Sequence, residues 1–128
     1  MNEKSITIVD AAERLSNRSY TEGEDSKAEW LSIYTCPICG KQVSFTVEEF
    51  EQQSFSEETN LSPGDANEIG VASQAYSMKR FKSINFKSFV DFYCKGCQGG
   101  VRIYYDAWGG GRYTHGYYAQ FIVEKHAA

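Results

Sequence analysis

Four cysteines stand in two pairs of the same spacing, Cys36-Pro37-Ile38-Cys39 and Cys94-Lys95-Gly96-Cys97, and no cysteine is left over. A Cys-x-x-Cys turn sets two sulfurs along one edge of a tetrahedron. A second turn facing it completes the four-thiolate shell that Zn2+ prefers in sites that serve folding. Such a shell keeps no open position for water or substrate, so the chemistry it implies is structural: one Zn2+ per chain, held by Cys36, Cys39, Cys94 and Cys97. Iron is also compatible with four thiolates. A thiol–disulfide redox pair needs a Cys-x-x-Cys that opens a helix after a strand, which suits the hairpin contexts here poorly, and a disulfide framework belongs to oxidising compartments.

Other catalytic sets are missing from the sequence. The two histidines, His115 and His126, accompany no nucleophile motif and are expected outside the metal shell, with His126 in a frayed terminus. No phosphate-binding loop, dinucleotide-binding glycine pattern or His-Glu-x-x-His occurs, and Gly109-Gly110-Gly111 precedes no helix that would cradle phosphate. The chain reads as a non-enzyme.

The first knuckle, Cys36-Pro37-Ile38-Cys39-Gly40, resembles the Cys-Pro-x-Cys-Gly knuckle of zinc-ribbon, rubredoxin-like domains. The second, Cys94-Lys95-Gly96-Cys97-Gln98-Gly99, departs from it by placing Gln98 ahead of the glycine. The resemblance implies knuckles at the tips of β-hairpins. Gly40, Gly96, Gly99 and Gly100 stand where tight turns around a metal call for positive φ. The 54 residues between the pairs exceed a compact ribbon's spacer, so they are expected to form an insertion.

The elements that must position the knuckles follow from periodicity. Val43, Phe45 and Val47 alternate with polar residues, and Trp30 to Tyr34 precede the first pair, which places it on a hairpin. Alternation through 86–93 and 101–108 does the same for the second pair, and Tyr117 to Glu124 returns as a third strand. The sum is an α+β fold, a small antiparallel sheet of zinc-ribbon type with a helical and loop insertion over 48–78. Within that insertion Thr46 and Glu49 have capping-box spacing, Pro63-Gly64-Asp65 reads as a turn, and 66–78 reads as a helix. At 128 residues the chain is one domain, with 1–27 as a peripheral segment made of a short strand over 5–9 and a brief helix capped by Asp10.

With the metal assigned to folding, function must come from a surface. Residues 1–68 hold 14 acids against 5 bases, and residues 69–128 hold 3 acids against 8 bases, for a net charge of −4. The halves either pair internally or face different partners. Thirteen of the 19 aromatics fall between Tyr76 and Phe121. Trp108, Arg112, Tyr113 and Tyr118 are the residue types that dominate protein interfaces, and Glu48, Glu49 and Glu51 offer a carboxylate array to a basic partner. In composition the chain is similar to the immunity proteins that bacteria make against secreted toxins. That similarity implies tight binding to a basic toxin such as a nuclease. The alternative is a zinc-ribbon nucleic-acid-binding or transcription-associated module using Lys79, Arg80, Lys82 and Lys87, which interleave with aromatics, although a pI near 5.2 opposes it. An exposed strand edge would support a homodimer. No 18-residue apolar run is present, and the N-terminus lacks the order of a secretory signal, so a cytoplasmic protein is expected.

Overall fold

The computed structural model describes residues 5–16, 19–21, 31–46, 49–50, 52–53, 58–82, 88–109 and 115–126. Its strands are β1 (Ser5–Asp10), β2 (Ser19–Thr21), β3 (Leu31–Thr35), β4 (Gln42–Thr46), β5 (Ser88–Tyr93), β6 (Gly100–Gly109) and β7 (His115–His126), with one long helix, α1 (Pro63–Phe81). The main antiparallel sheet runs β1-β7-β6-β5, with β2 also pairing to β7, and β3-β4 form a separate two-stranded sheet. The fold class is α+β.

Both faces of the main sheet are covered, and the strand sequences explain how. Along β6, Val101, Ile103 and Tyr105 join Val90, Tyr34, Phe45 and Phe50 in one buried cluster. Tyr104 on the opposite face joins Phe89, Phe121, Leu61 and Ile69 in a second. A register shift at Tyr104/Tyr105 pairs them with Phe121 and Ala119, so Gln120 is the extra residue and the alternation of β7 resets there. Ala119 and Phe121 through Glu124 are therefore buried almost continuously, as a central strand between two layers requires. The face that carries Tyr104 is covered by α1: Tyr104 stacks on Phe121 of β7 at 4.9 Å, and its hydroxyl meets Ser73 of α1 at 2.8 Å.

The helix begins earlier than its apolar pattern suggests. Ser62 caps it by accepting the Asp65 N–H, and Pro63 takes the first helical position, where its fixed φ is an asset and its missing N–H is not needed. Pro63-Gly64-Asp65 is thus a helix start and not a free turn. Lys79 and Arg80 lie in the last turn, and Lys82 closes the helix in the left-handed region at φ 58. Lys79, Arg80 and Lys82, the described part of the basic run, thus sit at the C-terminal end of this helix, where cations complement the helix dipole. The capping box before the short helical stretch at 49–53 forms as read: Thr46 N–H donates to Glu49 Oε1, and Glu49 N–H donates to Thr46 Oγ1.

Residues 5–16 are more integral than a peripheral segment. β1 is an outer strand along β7, Asp10 caps the 3-10 turn Ala11–Glu13, and Ala11 and Leu15 enter the core. Arg14 completes a buried charge group. Its Nε donates to Glu124 Oε2 at 2.8 Å, and the Tyr34 hydroxyl donates to the same oxygen at 2.5 Å. Burial beside that carboxylate holds the Tyr34 phenol protonated far above its usual range. His126 is held in β7 against Ser5, with Nε2 3.8 Å from Glu124 Oε1, so it is not frayed. The acidic and basic halves also pair with each other, Asp65 and Glu68 with Lys125, while Arg102 pairs with Asp91 inside the basic half.

Removing one partner of a buried pair strands the other charge, whereas replacing the whole group with apolar side chains need not. Arg14→Ala is expected to lower the unfolding free energy by about 3 kcal/mol. The combined replacement Arg14→Met, Tyr34→Phe and Glu124→Leu is expected to recover most of that loss, both read by urea denaturation at pH 7.

Candidate metal centre

The two cysteine pairs occupy loops of one design. Thr35 pairs with Gln42 and Tyr93 with Gly100, so each hairpin is closed by six residues, 36–41 and 94–99, with cysteine at the first and fourth positions. The backbone bonds repeat as well. Cys36 N–H donates to Lys41 O and Gly40 N–H to Cys36 O; Cys94 N–H donates to Gly99 O and Gln98 N–H to Cys94 O. The fifth residue is left-handed in both loops, Gly40 at φ 76 and Gln98 at φ 65. Gln98 therefore occupies the position that glycine holds in the first knuckle, which accounts for the departure in sequence. Of the glycines expected at positive φ, Gly40 alone has it among the described residues. Gly96 serves a different need: a Cβ there would fall on Cys39 Sγ and lie 2.8 Å from Lys41 Cγ.

The loops face each other. Cys36 Sγ lies 3.8 Å from Cys97 Sγ, Cys39 Sγ lies 3.4 Å from Cys94 Sγ, and all four sulfurs fall within 4.8 Å of one another. A tetrahedron built on metal–sulfur bonds of about 2.3 Å has edges of about 3.8 Å. Disulfides hold sulfurs about 2.05 Å apart, and these four cysteines are free. The residues therefore fit a metal ion, and they are the one group of three or more such ligands among the described residues that does.

Electrostatics within the cluster favours a cation. Burial pushes the Cys36 thiol up to about 12, against the opposing N–H groups of Cys39 and Ile38. At Cys94 burial likewise opposes ionisation, but the N–H groups of Cys97 and Gly96, aided by the Cys39 and Cys36 thiols, overcome it and bring the group down to about 6. Gly96 N–H points at Cys94 Sγ from 3.4 Å. The N–H groups around Cys94 thus favour a thiolate there, while burial resists ionisation of Cys36, and a cation at the cluster favours the thiolate form of every member.

Set against protein-family models, curated proteins and solved structures, the chain matches none. The site's assignment rests on its own geometry.

The residues expected to bind a partner are not gathered at this centre. Trp108 lies eight residues along β6 from Gly100, about 26 Å away at the rise of an extended strand. Tyr118, on the neighbouring β7, is half-buried and accepts a hydrogen bond from Gln120 at 2.8 Å. Arg112 and Tyr113 lie outside the described residues, as do Glu48, Glu51 and Lys87. Glu49 is exposed at the start of the short helical stretch. Lys79, Arg80 and Lys82 are exposed at the end of α1, and the Arg80 guanidinium sits 5.3 Å from the centre of the Phe81 ring. That ring also stacks on Phe121, so it belongs to the core rather than to a base-stacking surface.

Sequence reading missed the polar group around Asp91. Each of its oxygens takes two hydrogen bonds: Gln53 Nε2 and Asn60 N–H on Oδ1, Thr59 Oγ1 and Arg102 Nε on Oδ2. The aspartate's place within a β-strand was the available signal, since a carboxylate flanked by Val90 and Phe92 needs a cation.

Two substitutions test the shared loop design. Gln98→Gly relieves a left-handed non-glycine residue and is expected to raise stability by about 0.5–1 kcal/mol. Gly96→Ala pushes the knuckles apart and is expected to weaken metal retention, measured as an increased rate of metal loss to a colorimetric chelator.

Proposed function

We propose that the chain holds one structural Zn2+ through Cys36, Cys39, Cys94 and Cys97 and acts, without catalysis, by stoichiometric binding to a protein. In its specific form it is an immunity protein that covers a basic toxin such as a nuclease. The observation that carries the reading is the closed cluster of four sulfurs at the tips of two hairpins, a donor set with no place for a substrate. Two buried carboxylates suited to acid–base chemistry are engaged elsewhere, Glu124 by Arg14 and Tyr34, and Asp91 by Arg102, Gln53, Thr59 and Asn60. The carboxylate surplus of residues 1–68 supplies the field that accelerates capture of a basic protein.

Elemental analysis is expected to give about one zinc per chain, and chelation is expected to abolish the near-ultraviolet circular dichroism of the folded state. For the partner, the purified protein is mixed with a basic nuclease toxin domain encoded immediately upstream of it, and a one-to-one complex that blocks nuclease activity is expected. Titration with single-stranded and duplex nucleic acid at several salt concentrations decides the alternative. Micromolar or tighter binding with a steep salt slope, lost on charge reversal of Lys79, Arg80, Lys82 and Lys87, overturns the protein-binding reading.

A further inference from the structure

The hydrogen-bond register of the β3-β4 hairpin leaves one stretch of strand edge unmatched. Cys36 N–H donates to Lys41 O, the rung that closes the loop. Bonded and unbonded pairs alternate along an antiparallel ladder. The pairs Thr35–Gln42, Ile33–Ser44 and Leu31–Thr46 therefore turn their main-chain groups away from each other. The bonds formed on either side agree. On β3, Thr35 N–H reaches Arg14 O and Ile33 O accepts from Ser16 N–H; on β4, Thr46 N–H donates to Glu49 Oε1. The outer edge of β5 is guarded in the same way, Asp91 N–H donating to Gln53 Oε1 at 3.0 Å and Asp91 O accepting from Asn60 Nδ2 at 3.1 Å. Gln42 and Ser44 are exposed, and among the described residues their outward N–H and C=O groups meet no partner.

Ser44 lines a cleft of about 410 Å3 between β4 and β5, each the outermost strand of its sheet. That volume falls in the range of roughly 300–1,000 Å3 typical of ligand sites. The unmatched groups recur on alternate residues, roughly 7 Å apart, which is the repeat that an added strand satisfies. A second copy of this edge is the wrong occupant. Residues 42–60 carry five acids, Glu48, Glu49, Glu51, Glu57 and Glu58, and no base, so two such edges brought together set like charges against each other. A strand bearing lysine or arginine meets the opposite sign.

We propose that the outer edge of β4 at Gln42 and Ser44 is the docking site for an extended, basic segment of the protein partner, which joins the β3-β4 sheet as a third strand. This rests on the protein-binding reading above and gives it a location and a mode of contact.

The test titrates the 128-residue chain, labelled with nitrogen-15, with the acetylated and amidated peptide Lys-Val-Arg-Val-Lys-Val-Arg. Shift changes are expected at residues 42–46, and exchange of the Ser44 amide proton is expected to slow about tenfold on binding. The same peptide with its main-chain amides N-methylated keeps its charge and loses its donors. It is expected to bind about tenfold more weakly, as is the acidic peptide Glu-Val-Glu-Val-Glu-Val-Glu. Ser44→Pro removes the outward N–H without touching the β3 ladder, and is expected to weaken the basic peptide about tenfold while the shifts of residues 88–109 stay in place. Should that variant disturb the fold, the methylated peptide decides on the unaltered chain. Equal binding of the methylated or acidic peptide, shifts confined to other residues such as 6–8 on β1, or no binding overturns the site. The two proposals fail separately. A protein partner that binds folded Ser44→Pro as tightly as the parent removes the strand site and leaves the protein-binding reading intact. Peptide addition at β4 in a chain whose function proves to be nucleic-acid binding does the reverse.

Discussion

The convergence of four sulfurs at one end of the molecule ties together two sheets that otherwise share few polar links. Among the described residues the β3-β4 hairpin has no strand-to-strand backbone pairing with the main sheet. Its backbone meets the rest of the chain at residues 14–16, where Ser16 N–H reaches Ile33 O and Thr35 N–H reaches Arg14 O. Ring contacts of Phe92 with Tyr34 and Phe45 fill the space between. With a metal at the cluster, the hairpin gains a clamp at the knuckle end, and the apolar contacts along its length are formed at no further loss of chain freedom.

The second fastening lies two residues from the first ligand. Tyr34, on β3 just ahead of the loop that carries Cys36, reaches Glu124 in β7, and Arg14 neutralises the same carboxylate. Three separated segments meet at one carboxylate, and the geometry of the hairpin relative to the sheet is set there by direction as well as by burial. An apolar triad would fill the same volume without dictating orientation, which is the argument for retaining a charge in the interior.

How far the sequence revealed this depends on the distance over which each feature is encoded. The knuckles, the capping box at Thr46 and Glu49, and the strand alternation around them were legible because their partners are a few residues apart. The helix start was not, because Pro63-Gly64-Asp65 carries turn residues and the capping role of Ser62 decides between turn and helix. Lys79 to Lys82 alternate with aromatics in a way that mimics a strand, while Phe81 faces the core on a helical period. Two-sided burial of β6 and β7 hid the partner of each face, and nothing near Glu124 announces Arg14, 110 residues away. The converging cysteines were legible in full; the cleft between β4 and β5 was not, because its walls, Val43 to Phe45 and Val90 to Phe92, lie far apart in sequence.

The identical six-residue loops also bear on how the molecule tolerates change. All that the cluster asks of the residues between β4 and β5 is that they return β5 to face β4. Closing a flexible connection costs only about 0.6 kcal/mol more for each doubling of its length. Lengthening, shortening or recomposing that stretch therefore leaves the ion-binding turns nearly indifferent, provided the wrapping of Asp91 survives. The molecule thus separates a fixed anchor from a connecting segment whose length the anchor hardly constrains.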